Sequence, residues 1–166
     1  MHVLERWSRP AGAVRPRVPA TWAGDGPTSG LRVLGALSLL AVGAVHLQQF
    51  LGLYSEIPTI GVLFVLNFAG ATVIGLTLLL PVERLLGRWG RPALLLSALG
   101  GIALAATAFV FLLISERTPL FGFMEPGYDP AAILASRVAE AATVLFLGGF
   151  LAVRLRRERS VVSKEP

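Results

Sequence analysis

The chain has 166 residues, 54% of them hydrophobic, with a mean hydropathy of +0.69, a formal net charge of +5 and no cysteine. Soluble domains are less apolar than this, and one bundle of helices uses the whole length, so a second globular domain is excluded. The lack of cysteine excludes disulfides, thiolate metal sites and a cysteine nucleophile.

Residues 1–30 are rich in Pro, Gly and Arg and show no apolar period, which predicts a mobile basic tail. Four apolar blocks follow, at about 31–53, 57–80, 92–114 and 130–153. A helix needs about 20 residues to cross the hydrocarbon core, so each block is long enough. The fold class expected is an all-α membrane protein, a four-transmembrane-helix bundle, closed by a second basic tail over 154–166.

The first block is unbroken only from Val33 to Val45, and Ala41-Val42-Gly43-Ala44 is rich in small residues. That leaves a cleaved signal and three spans as a rival reading. Leu47, Phe50, Leu51 and Tyr54 favour four spans, because they carry the helical period past His46. Ser55 and Pro58 read as the start of the second span, and Asp129-Pro130 as the start of the last. Between Pro81 and Arg91-Pro92, the residues Val82, Leu85, Leu86 and Trp89 recur at helical spacing, as a short piece on the membrane surface would.

Charge predicts the orientation. Arg6, Arg9, Arg15, Arg17 and Arg32 form the N-terminal flank of the first span. Arg84, Arg88 and Arg91 fill the middle turn, and Arg154, Arg156, Arg157 and Arg159 follow the last span. The other two connections hold Arg117 against Glu56, Glu116, Glu125 and Asp129. By the positive-inside rule both termini are cytoplasmic, in the plasma membrane. Lys164 is the only lysine among the 15 basic residues, and with abundant Ala, Gly and Leu this reads as a bacterial coding bias. The basic residues flank apolar runs, so the partners expected are the bilayer and its anionic headgroups, not nucleic acid. A homo-oligomer or a larger membrane complex is a further partner consistent with the chain.

Ionisable residues inside the spans are the functional hint, since each costs about 2.5–3.5 kcal/mol at the centre of a span on insertion scales. On the last helix Ser136, Glu140 and Thr143 share a face, which Arg137 borders. On the first, Val42, His46, Gln49 and Leu53 share one. With Asn67 near the midplane, these define a candidate polar pocket of His46, Gln49, Asn67, Arg137 and Glu140 in the outer half. Its mouth would be formed by Tyr54, Glu56, Tyr128 and Asp129. Each has a plainer explanation. Arg137 and Glu140, three apart, can pair within one helix. His46 can be a packing residue, and Asn67 can bridge helices. Tyr54, Phe121, Phe123 and Tyr128 can form an interfacial belt. Gln48 points away from His46.

No phosphate loop, G-x-S-x-G elbow or H-E-x-x-H is present, so no catalytic or metal site and no cofactor is expected. Three functions stay open. The favoured one is a non-enzymatic accessory or binding module. The second is a small oligomeric transporter or proton-coupled carrier using Glu140, Arg137 and His46. The third is a haem- or quinone-binding redox protein, though His2 is the only other histidine, which excludes a bis-His haem across the bundle.

The stretch His46-Leu47, then Tyr54, then Ile57-Pro58-Thr59-Ile60-Gly61-Val62-Leu63-Phe64-Val65-Leu66-Asn67, with Leu120-Phe121-Gly122-Phe123 and Glu140 later, resembles a group of small four-span bacterial membrane proteins with no assigned activity. The resemblance covers about residues 31–153. It implies four spans and an outer-side hairpin and leaves function open.

Overall fold

A computed structural model describes residues 26–162. They form α1 (Gly26–Gln49), which runs on through a π-helical turn at Phe50–Tyr54, then α2 (Pro58–Leu79) and the short α3 (Val82–Leu85). A 3-10 turn at Gly87–Trp89 leads into α4 (Gly90–Ser115), and a loop leads to α5 (Pro130–Val162). Four of these helices are long and apolar enough to cross a membrane. The shortest, α2, has 22 residues and so extends about 33 Å, enough for a hydrocarbon core about 30 Å thick.

The helices stand in a square. α1 packs on α2 and α5, and α4 packs on α2 and α5, while α1 and α4 barely meet across the diagonal. The α1–α2 and α4–α5 connections sit at one end of the bundle, the loop end. The start of α1, α3 and the end of α5 sit at the other, the turn end. There Glu83 pairs with Arg154, whose guanidinium also lies 5.9 Å from the Phe150 ring.

The two halves differ. The turn-end half is solid: Ala36, Leu39, Ala71, Leu78, Val82, Leu94, Ala98, Leu147 and Phe150 form one buried cluster. In a bilayer, hydrocarbon would solvate these side chains as well as a protein core does, so close contact would have to hold the helices together. Small residues permit that contact. A Cβ on Gly35 would lie 2.4 Å from Leu147 Cδ2, and one on Gly101 would lie 2.9 Å from Leu147 Cδ1. The two glycines thus form a slot for one leucine.

Several element ends differ from the sequence expectation. Residues 26–30 belong to α1, and Arg154 to Val162 continue α5, because both segments extend an existing helix whose hydrogen-bond ladder is already nucleated. The N-terminal arginines Arg6, Arg9, Arg15 and Arg17 lie outside the described residues. Ser55 does not cap α2. Its N–H bonds to the Phe50 carbonyl at 3.1 Å, which ends the π turn, and α2 begins instead at Pro58 after an extended Ile57.

The π turn changes which residue faces inward. In a continued α-helix the face of Val42, His46 and Gln49 would pass through Leu53. A π turn holds an extra residue, so the face advances by one. Leu53 is accordingly 49% exposed and Tyr54 only 4%.

Candidate functional site

The loop-end half of the bundle is hollow. A cavity of about 230 Å³ is lined by all four long helices and by the α4–α5 loop. His46, Gln49, Asn67 and Glu140 all line it, with Tyr54, Ser136 and Glu125. At 1.5 Å per residue, Glu140 lies about 15 Å along α5 from Pro130 and Asn67 about 13 Å along α2 from Pro58, so they sit at similar depth.

Glu140 is 1% exposed. It accepts a 2.8 Å hydrogen bond from Ser136 on Oε1, and its Oε2 is buried with no partner among the described residues. Asn67, 8% exposed, likewise keeps Oδ1 buried and unpartnered. Leaving such an oxygen unsatisfied costs about 1–3 kcal/mol, more for a charged group. His46 donates from Nδ1 to the Val42 carbonyl at 2.9 Å, which fixes the tautomer and leaves Nε2 as the ring's acceptor in the neutral imidazole. The imidazole meets Phe64 edge to face with centroids 5.0 Å apart, and Tyr54 follows at 4.8 Å from Phe64.

Arg137 is not in the cavity wall. It pairs with Glu116 at the end of α4, and this corrects the expected Arg137–Glu140 pair. Both partners of the observed pair keep about a third of their side chains exposed, at 35% and 28%. An ion pair that retains some solvent avoids the desolvation cost it would meet beside Glu140.

The loop closes the cavity at its top. The Tyr54 hydroxyl donates to Glu125 Oε2, and Glu125 Oε1 accepts from the N–H groups of Gly127 at 2.9 Å and Tyr128 at 3.3 Å. The Glu125 N–H reaches back to the Ser115 carbonyl at 2.8 Å. Gln49 donates to Asp129 Oδ2 at 3.0 Å, while Asp129 Oδ1 accepts the Ala132 N–H at 3.0 Å and so caps α5. Those bonds hold the Asp129 carboxyl below its ordinary pKa, the Ala132 amide having the largest effect and Gln49 the next. Leu120 and Phe123 exchange both backbone hydrogen bonds across a two-residue turn, with Phe121 at φ 51° and Gly122 at φ 81°. Phe123 then covers Tyr54 at 5.6 Å.

Of the residues expected at the mouth, Tyr54 lines the cavity and Asp129 ties the loop to α1. Glu56 and Tyr128 are exposed and outside the cavity wall. The expected aromatic belt divides the same way. Phe121 and Tyr128 face outward, while Tyr54 turns in, where Glu125 gives its hydroxyl a buried partner, and Phe123 packs on the Tyr54 ring. Gln48 borders an open groove between α1 and α2, away from His46. Glu125 and Glu116 were missed by sequence reasoning. Both read there as loop charges, and nothing in their spacing points to Tyr54 or Arg137. Among the described residues no group of three or more His, Asp or Glu side chains is placed to hold a metal ion.

No protein-family model matches the chain, and no curated protein or solved structure matches it, so the resemblance of its first hairpin to small bacterial four-span proteins has no family support.

Proposed function

We propose that this chain is a multi-pass protein of a bacterial plasma membrane that binds a small, largely apolar molecule in the loop-end cavity, as a non-enzymatic binding or accessory module. Both termini are cytoplasmic in this reading. The turn end gathers Arg32, Arg84, Arg88, Arg91, Arg154, Arg156, Arg157 and Arg159, which suit anionic headgroups, while the loop end holds Glu56, Glu116, Glu125 and Asp129 against Arg117. The cavity therefore occupies the outer half.

One observation carries the binding role. Two side chains of different helices, Glu140 and Asn67, each keep an unpartnered buried oxygen at one mainly apolar cavity wall. A few convergent polar groups in an apolar cavity describe a ligand site better than a packing defect. The carrier reading is weaker, because Arg137 is committed to Glu116 and only His46 and Glu140 remain for it.

Cavity filling tests this. Ala108 of α4 lines the cavity and is half-buried. A panel of one-ring compounds is assayed by thermal unfolding of the purified chain in detergent. At least one should stabilise the parent saturably and leave Ala108→Phe unmoved. A panel that stabilises neither protein, or both equally, would overturn the proposal.

A further inference from the structure

Of the described residues lining the cavity, Leu66 of α2 and Thr107 of α4 are the only exposed ones, Leu66 at 60%. Leu66 is eight residues into α2 from Pro58, and Thr107 is eight residues before Ser115, the end of α4. Each therefore lies about 12 Å from the loop end. They sit level with each other, and level with Asn67 and Glu140. The seam between α2 and α4 is also the loosest of the four in the square. The top, in contrast, is closed by the Tyr54–Glu125 and Gln49–Asp129 bonds and by Phe123.

Resting on the ligand-binding role above, we propose that the cavity is filled sideways from the bilayer, through a window between α2 and α4 at Leu66 and Thr107. The occupant is an amphiphile with a hydroxylated ring as its head and an alkyl or isoprenoid chain that trails into the lipid. Volume limits the head. A cavity of 150 Å³ holds benzene, so about 230 Å³ holds one substituted ring and not a phospholipid headgroup. Hydrogen bonding sets its polarity. Acceptors outnumber donors among the free groups of the wall: Glu140 Oε2, Asn67 Oδ1 and His46 Nε2, against the Asn67 amide N–H groups and the Thr107 hydroxyl. The acceptors call for O–H donors on the ligand. Phe64 and Phe111 supply aromatic wall for the ring. The position of the window decides the source, because a molecule dissolved in hydrocarbon reaches mid-depth without crossing the closed top.

The test uses the full chain in lipid nanodiscs and four probes: a decyl-substituted hydroquinone, the corresponding quinone, hydroquinone without the chain, and decylammonium. The decyl hydroquinone should bind saturably, and at least tenfold more tightly than each of the others. Leu66→Trp, at a lipid-exposed position that leaves the core intact, should weaken it at least tenfold. So should Glu140→Met, which removes the acceptor and keeps the volume. If the chainless ring binds as tightly as the decyl form and Leu66→Trp changes nothing, sideways filling is overturned while ligand binding stands. If the quinone or decylammonium binds as tightly as the hydroquinone, the donor-ring assignment is overturned. If no probe binds, although the thermal panel above finds a ligand lost on Ala108→Phe, the amphiphile is overturned and the binding role is not.

Discussion

Arg137 reaches past Glu140, its neighbour one helical turn away, to pair with Glu116 on α4. Among the described residues Glu140 is left with Ser136 alone, and one of its carboxyl oxygens is unpartnered. The charge at the edge of the bundle is thereby neutralised between helices, and the acid at its centre forms no ion pair among the described residues.

A double-mutant cycle measures that division. Arg137→Gln and Glu116→Gln should show a coupling of about 0.5–1 kcal/mol, as expected for a partly exposed pair. Arg137→Gln and Glu140→Gln should be additive within about 0.5 kcal/mol. Unfolding in detergent, followed by circular dichroism, provides both values. A strong Arg137–Glu140 coupling would show that the two pair after all.

Glu140→Met should stabilise the unliganded protein by about 1–2 kcal/mol, since it replaces an unsatisfied buried polar group by an apolar one of similar size. Most substitutions of a fully buried residue are destabilising. Gain of thermal stability with loss of binding is the signature of a site kept for function. A destabilised variant would mean that the carboxyl is structural.

Tyr54→Phe removes the hydroxyl that Glu125 accepts and should cost about 1–2 kcal/mol. The effect should be local. Hydrogen exchange of the Gly127 and Tyr128 amides, both held by the same carboxylate, should rise well before that of α2 or α4. Uniform acceleration over the bundle would contradict a loop clamp.

Asp129 gives the loop end an acid sensitivity. Its folded-state pKa lies below the ordinary 3.8, so its contribution to stability is complete above that value. It is lost as the pH falls from 3.8 through the lower folded-state pKa. Thermal unfolding of the parent should therefore lose stability over that acid range relative to Asp129→Asn. Parallel profiles for the two proteins would show that the carboxylate contributes nothing.

Gly35→Ala should destabilise by about 1–3 kcal/mol through overpacking. Its Cβ would meet Leu147 Cδ2 at 2.4 Å and Cγ at 2.7 Å, and Leu147 is confined on the other side by Gly101 and Leu39. In a Leu147→Ala background the same change should cost much less, which thermal unfolding of the four proteins would show.

The helices were legible in the sequence because apolar length is a local property. The four long helices fall on the four apolar blocks, and Asp129 caps α5 through Ala132, as its place before Pro130 predicts. The joint presence of His46, Gln49, Asn67 and Glu140 at one cavity was permitted by their depths but depended on helix rotation, which no single segment encodes. Arg137 was misassigned because helical spacing offered Glu140 as a partner, and Glu116 becomes near only when α4 and α5 pack. Leu53 was misplaced for another reason. Phe50-Leu51-Gly52-Leu53-Tyr54 continues an ordinary apolar period, and the π turn that rotates Tyr54 inward comes with a bond to Glu125, far along the chain.

That extra residue makes the first helix a phase switch in the chain's arithmetic. Deleting Gly52, which has open space around it, would remove the extra residue, and an ordinary α-helical turn would then place Tyr54 on the cavity face. With every residue kept, an all-α turn would instead bring Leu53 to the face and take Tyr54 away from Glu125. The closure of this cavity is thus encoded in how many residues precede the turn as much as in which ones they are.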